Sequence, residues 1–175
     1  MVQTTLPQTL NASIDNWIKD LDNYSFEQLT AKPSPELWSM GQVYMHLVEV
    51  TQHFVEEAAV CAGSNDNAHE EASPTARLMF QNNELPDTLL KGPPSNALTQ
   101  QPQSKEQIKQ GLKRIKERLA EIEPLLAGST CNGKARHPGL NYFSATECLH
   151  FAEMHLRHHL RQKKRIDAFL QGAHA

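Results

Sequence analysis

Four stretches of this chain repeat apolar residues at steps of four and three, the spacing of one face of an α-helix. Leu10, Ile14, Trp17 and Leu21 form the first stripe, and Val43, Leu47, Val50 and Phe54 the second. Ile108, Leu112, Ile115, Leu119, Ile122 and Leu126 form the third. The segment from Ser144 to Leu170 carries the fourth and longest. A stripe of this kind is stable only when packed against another apolar face, so the pattern points to helix on helix. No convincing period-two strand is found. Leucine occurs 20 times against 12 for valine and isoleucine together, a balance that favours helix over sheet.

The helix boundaries are marked chemically. Ser39–Gln42, Ser104–Gln107 and Ser144–Glu147 each fit a capping box, in which the hydroxyl accepts from the N3 amide and the N3 side chain reaches back. Pro7 suits a first helical turn, and Gly128 and Gly172 stand where a C-cap glycine is expected. The spacing predicts four long helices near 7–23, 40–62, 105–126 and 144–171. A short turn is expected around Ser25–Leu29. The stretch Gly63–Gln103 holds five of the ten prolines, and within it only Ala72–Gln81 reads as briefly helical. It is expected to be a long crossover between the second and third long helices. The expected fold class is therefore all-α, one four-helix domain over residues 1–175.

Composition excludes several classes. The chain is 39% hydrophobic and 21% charged, with a net charge of −3, values of a globular chain rather than a disordered one. That balance gives no global attraction to nucleic acid. No apolar run approaches the roughly 20 residues that span a bilayer, and the first ten residues lack the features of a signal peptide. Cys61, Cys131 and Cys148 are odd in number and widely spaced, so free thiols and a cytoplasmic location are expected.

The informative residue type is histidine, of which there are nine. Advancing about 100° per residue from His155 places His159 at about 40°. Cys148, Phe151, Ala152, Gln162, Ile166, Phe169 and Leu170 fall on the same arc, so both histidines lie in the apolar stripe. His158 sits on its shoulder, and His150 near the opposite face. His46 shares its face with Val43, Leu47, Val50 and Phe54. Three inward imidazoles without partners would be costly to bury. A divalent cation, zinc or nickel, satisfies all three and keeps a position open for water or substrate. The bland reading is a coincidental i, i+4 pair and a hydrogen-bonded core histidine. By the same reasoning Trp17 and Trp38 are expected as core anchors, Cys61 and Cys148 as small packing residues, and His53 and Glu57 as helix-edge residues. The basic run Arg157, Arg161, Lys163, Lys164 and Arg165 is expected to be a solvated face.

Two blocks carry a family resemblance. Trp38-Ser39-Met40-Gly41-Gln42-Val43-Tyr44-Met45-His46-Leu47 resembles the start of the second helix in the DinB-like (YfiT-like) metalloenzyme family. His137-Pro138-Gly139-Leu140, then His155-Leu156-Arg157-His158-His159-Leu160-Arg161-Gln162, resembles that family's last segment. The resemblance implies a bundle in up-down-down-up order with a long connection between helices 2 and 3. It also implies divalent-metal binding by His46, His155 and His159. The family includes thiol S-transferases that use low-molecular-weight thiols such as bacillithiol or mycothiol, and relatives of maleylpyruvate isomerase. The expected function is thus a metal-dependent enzyme, transferase or hydrolase, acting on a small molecule, with no nucleic-acid or membrane partner. His137 and His158 are expected near the site. The alternative is a non-catalytic helical domain that binds metal or forms a homodimer, because Leu149, Leu156 and Leu160 widen the apolar arc of the last helix.

Overall fold

The computed structural model describes residues 5–86 and 98–172. These residues form, in order, α1 (Leu6–Leu21), α2 (Phe26–Thr30), α3 (Met40–Gly63), α4 (Pro74–Asn82), α5 (Lys105–Gly128), β1 (Lys134–His137), β2 (Asn141–Ser144) and α6 (Ala145–Gly172). The four long helices are those the apolar spacing predicts, and the short ones fall where a turn and a brief helix are expected. Positions 87–97 of the expected crossover lie outside the described residues.

The stripes meet in one core. Leu10, Ile14, Trp17 and Leu21 of α1, Val43 and Leu47 of α3, Ile108 to Ile122 of α5, and Cys148, Ala152, Ile166 and Leu170 of α6 are all buried. Helix α6 packs against both α1 and α3, and α5 against the same two helices. This explains the breadth of the α6 arc: Leu149 and Leu156 are buried between neighbours, whereas Leu160 is exposed. Trp17 anchors the centre as expected, its ring edge-on to Tyr44 at 5.2 Å. The Tyr44 hydroxyl donates to the Trp17 carbonyl at 2.9 Å.

The caps account for the helix starts. Ser39 with Gln42 and Ser144 with Glu147 form both arms of the box. Ser104 forms one arm only, because the Gln107 side chain accepts from the Gln103 amide instead. The C-cap expectation for Gly128 is not met. It closes α5, and Ser129 follows at φ −69° with its amide on the Leu125 carbonyl.

Two further expectations need correction. The absence of strands does not hold, because β1 and β2 form an antiparallel hairpin with Lys134 opposite Ser144 and His137 opposite Asn141. Its turn requires left-handed backbone, with Gly139 at φ +87° and Asn141 at +68°. Only Phe143 is buried on these strands, so no alternating pattern marks them. The hairpin is held instead by bonds to residues 64–73, including Gly133 to the Ser64 carbonyl and Ser73 to that of Leu140.

The second correction concerns the basic run, which is not simply a solvated face. Glu153 is 4% exposed. The Arg157 guanidinium holds its carboxylate at 2.8–2.9 Å and also reaches Asn83, while Ser13 donates to it at 2.9 Å. Arg161 pairs with Glu84, and Lys163 lies between Asp20 and Asp167. Truncating Arg157 would strand a buried charge. Arg157→Met is therefore expected to lower the unfolding free energy by about 2 kcal/mol, allowing for the partial exposure of the arginine. Urea denaturation reads this directly, and a change below about 0.5 kcal/mol would mean that Glu153 does not depend on its partner.

Candidate metal centre

His46 lies in the second turn of α3, and His155 and His159 lie one turn apart on α6. The Ser39 box fixes where α3 begins, and α6 packs along α3, so the three rings face one another across that contact. His46 Nε2 is 3.2 Å from His155 Nε2, and His159 Nε2 is 3.1 Å from the same atom. The ring centroids are 4.5–5.0 Å apart. All three donor atoms lie within 4.8 Å of one another. Among the described residues, this is the only group of three or more candidate metal ligands, and no carboxylate joins it. His46 and His159 are buried, whereas His155 keeps part of its surface open.

Burial sets the protonation state. It pushes His46 down to about 4 and His159 down to about 3. His155 is held well below the usual imidazole range, first by burial and then by its histidine neighbours. All three rings are therefore neutral at pH 7, the form that binds a cation. His159 Nδ1 donates to Gln162 Oε1 at 2.8 Å, which leaves its Nε2 lone pair facing the cluster. Three mutually facing Nε2 atoms cannot all be satisfied by one another, since each neutral ring carries a single proton. A cation satisfies them together, so the donor set fits a divalent ion bound by three neutral imidazoles with a further position open.

The surroundings are aromatic. Trp38 packs on His46 at 5.0 Å, and Phe151 stacks on His155 at 6.1 Å and 17°. His137 comes from the end of β1 and lies flat on Phe54 at 5.8 Å, with Phe151 at 5.1 Å. It is thus one ring removed from His155. His158 stands edge-on to His159 at 5.5 Å. His53 is exposed and Glu57 half-buried on the edge of α3, as expected. His150, which carried no expectation, bonds Asn83 Oδ1 at 2.7 Å and ties α6 to the end of α4. Cys61 and Cys148 are both buried, as expected for small packing residues. The core-anchor expectation for Trp38 is met in part: the residue is half-buried and packs against the edge of the core, with its ring beside His46. Two features escaped the sequence reading, the bond from Gln162 to His159 and the position of Trp38. The i, i+3 spacing of His159 and Gln162 could have signalled the first, since residues so spaced share a helix face.

A family model for the DinB superfamily matches residues 9–162. No curated protein and no solved structure matches the chain significantly.

Proposed function

Because the chain belongs to the DinB superfamily, we propose that His46, His155 and His159 hold a divalent cation, zinc or nickel, and that the protein is a metal-dependent enzyme acting on a small molecule. The observation that carries this reading is the convergence of three neutral Nε2 atoms with no carboxylate among them. When bound, such an ion supplies Lewis acidity that activates a thiol or a water. The chain's own residues do the rest. Gln162 fixes the tautomer and tilt of His159, Trp38 and Phe151 brace the other two rings, and burial keeps all three unprotonated. The reaction is thiol transfer to an electrophile or hydrolysis, and the thiol is of low molecular weight.

A three-ligand donor set favours catalysis over a purely structural metal, since structural zinc is held by four protein ligands and catalytic zinc keeps a fourth position for water or substrate. We read the long helices as an up-down-down-up bundle forming a single unit. Lys105 at the start of α5 donates to the Tyr24 carbonyl after α1, and Arg118 of α5 pairs with Glu56 of α3. Ser13 of α1 meets Glu153 of α6. No described helix is long and apolar enough to cross a membrane, and we place the protein in the cytoplasm with no nucleic-acid partner.

The test is turnover by zinc- or nickel-loaded protein, with a thiol plus 1-chloro-2,4-dinitrobenzene in one arm and 4-nitrophenyl acetate in the other. Metal-dependent turnover in one arm, abolished by chelation, is expected. Stoichiometric metal with no turnover in either arm would favour the non-catalytic alternative, and a metal-dependent monomer–dimer shift in sedimentation would identify it as a homodimerisation centre.

A further inference from the structure

Of the two tryptophans, Trp17 is fully inside the core, whereas Trp38 packs against its edge and stays half-buried. A half-buried indole loses little by remaining so unless something covers it. Its chain neighbour Leu37 is 56% exposed, so the segment leading into α3 carries two incompletely buried apolar residues, of which Trp38 packs on His46. Their mount is rigid. Ser39, the next residue, is fully buried and caps α3. Its hydroxyl donates to Gln101 Oε1 at 2.8 Å, and Gln42 donates to the Thr99 carbonyl at 2.7 Å. Gln101 in turn donates to the Thr30 carbonyl at 3.2 Å. Gly41 permits this packing, since a Cβ there would lie 2.7 Å from the Pro102 ring and 2.8 Å from the Leu29 carbonyl. The backbone beside Trp38 is therefore fixed without a ligand and its indole rests on His46, an arrangement that needs little reorganisation on binding.

Charge specifies the other half of the ligand. A divalent ion on three neutral imidazoles keeps its double positive charge, because no carboxylate belongs to the cluster. An anionic group is favoured in the open position. Resting on the metal reading above, we propose that Trp38 is the binding wall for the apolar, planar part of an organic anion whose charged group lies on the three-histidine centre. A planar group on the indole gains both area burial and ring contact.

The test uses cobalt-loaded full-length protein and two hydroxamates that share a head group, acetohydroxamate and benzohydroxamate. Titrations follow the visible cobalt bands. Benzohydroxamate is expected to bind about tenfold more tightly. Trp38→Ala should reduce that ratio to near one and Trp38→Phe should keep most of it; the ratio is the readout because Trp38 also packs on His46 and its loss can move both affinities together. If Trp38→Ala fails to fold, zinc-loaded Trp17→Phe leaves Trp38 as the only tryptophan, and its selectively excited fluorescence should shift with benzohydroxamate but not with acetohydroxamate. An unchanged ratio in folded, cobalt-bound Trp38→Ala, or a silent Trp38, overturns the wall alone. Failure of the wild type to develop cobalt bands overturns the metal reading, and the wall with it.

Discussion

Replacing His155 with alanine is expected to lower the affinity for zinc or nickel by about a thousandfold. His155 is the hinge of the cluster, since its Nε2 is the atom that both other histidines approach, at 3.2 and 3.1 Å. Losing a residue that merely orients a ligand costs roughly 10- to 100-fold, so losing a ligand should exceed that. The measurement is competition with a chromophoric chelator on protein made without a histidine tag. His53→Ala, at an exposed position off the cluster, serves as the control and should bind as the wild type does. Metal also acts on stability, because it binds the folded chain. At a hundredfold excess over its dissociation constant it adds about 2.7 kcal/mol, which for a chain of this size raises Tm by roughly 5–10 °C. His155→Ala should abolish that rise. A variant that retains stoichiometric metal at unchanged affinity would remove the centre from consideration.

The metal-free chain is expected to lose stability steeply as pH falls from 7 to 5. In the unfolded chain the three histidines titrate near 6.5. In the folded chain His46 titrates at about 4, His159 at about 3 and His155 well below the usual value, chiefly through burial. His137 and His158 add unfavourable charge around His155 when protonated. Between the two sets of values the unfolded state binds more protons, so stability rises with pH and is lost on acidification. The full contribution is present above the unfolded value and declines toward pH 4. At pH 5 the part already lost amounts to about 2 kcal/mol for each of His46 and His159. Urea midpoints at pH 7 and pH 5 test this, with His46→Gln, His155→Gln and His159→Gln combined as the comparison. The wild type should lose the larger share, and equal losses would show that burial does not hold these rings neutral.

Both expectations rest on residues that helix phase and the family resemblance singled out. His155 and His159 announce themselves by i, i+4 spacing within an apolar arc, and His46 by sharing a face with Val43, Leu47 and Phe54. A 3.6-residue period assigns a side chain to a face without reference to the rest of the fold. It also assigns the four long helices to within about two residues, because their stripes and serine caps are local signals. The hairpin at 134–144 was not legible for the opposite reason. Lys134-Ala135-Arg136-His137 has no alternation, and its strand exists because residues 64–73 supply partners from elsewhere in the chain. Arg157 misled in the same way: its wheel position faces outward, but its guanidinium folds back onto Glu153 one turn earlier and onto Asn83.

What the chain determines by itself is therefore the helices and the inward phase of three histidines, since hydrophobic period, capping and side-chain direction act over a few residues. What only the tertiary structure decides is distance. The approach of α3 to α6 brings three Nε2 atoms within 4.8 Å of one another, lowers their proton affinity by burial, and leaves Trp38 half-buried at the edge of the core beside the centre. Those outcomes depend on pairs of residues up to 113 positions apart, from His46 to His159, and no local period encodes the separation of two faces that meet only when the core is packed.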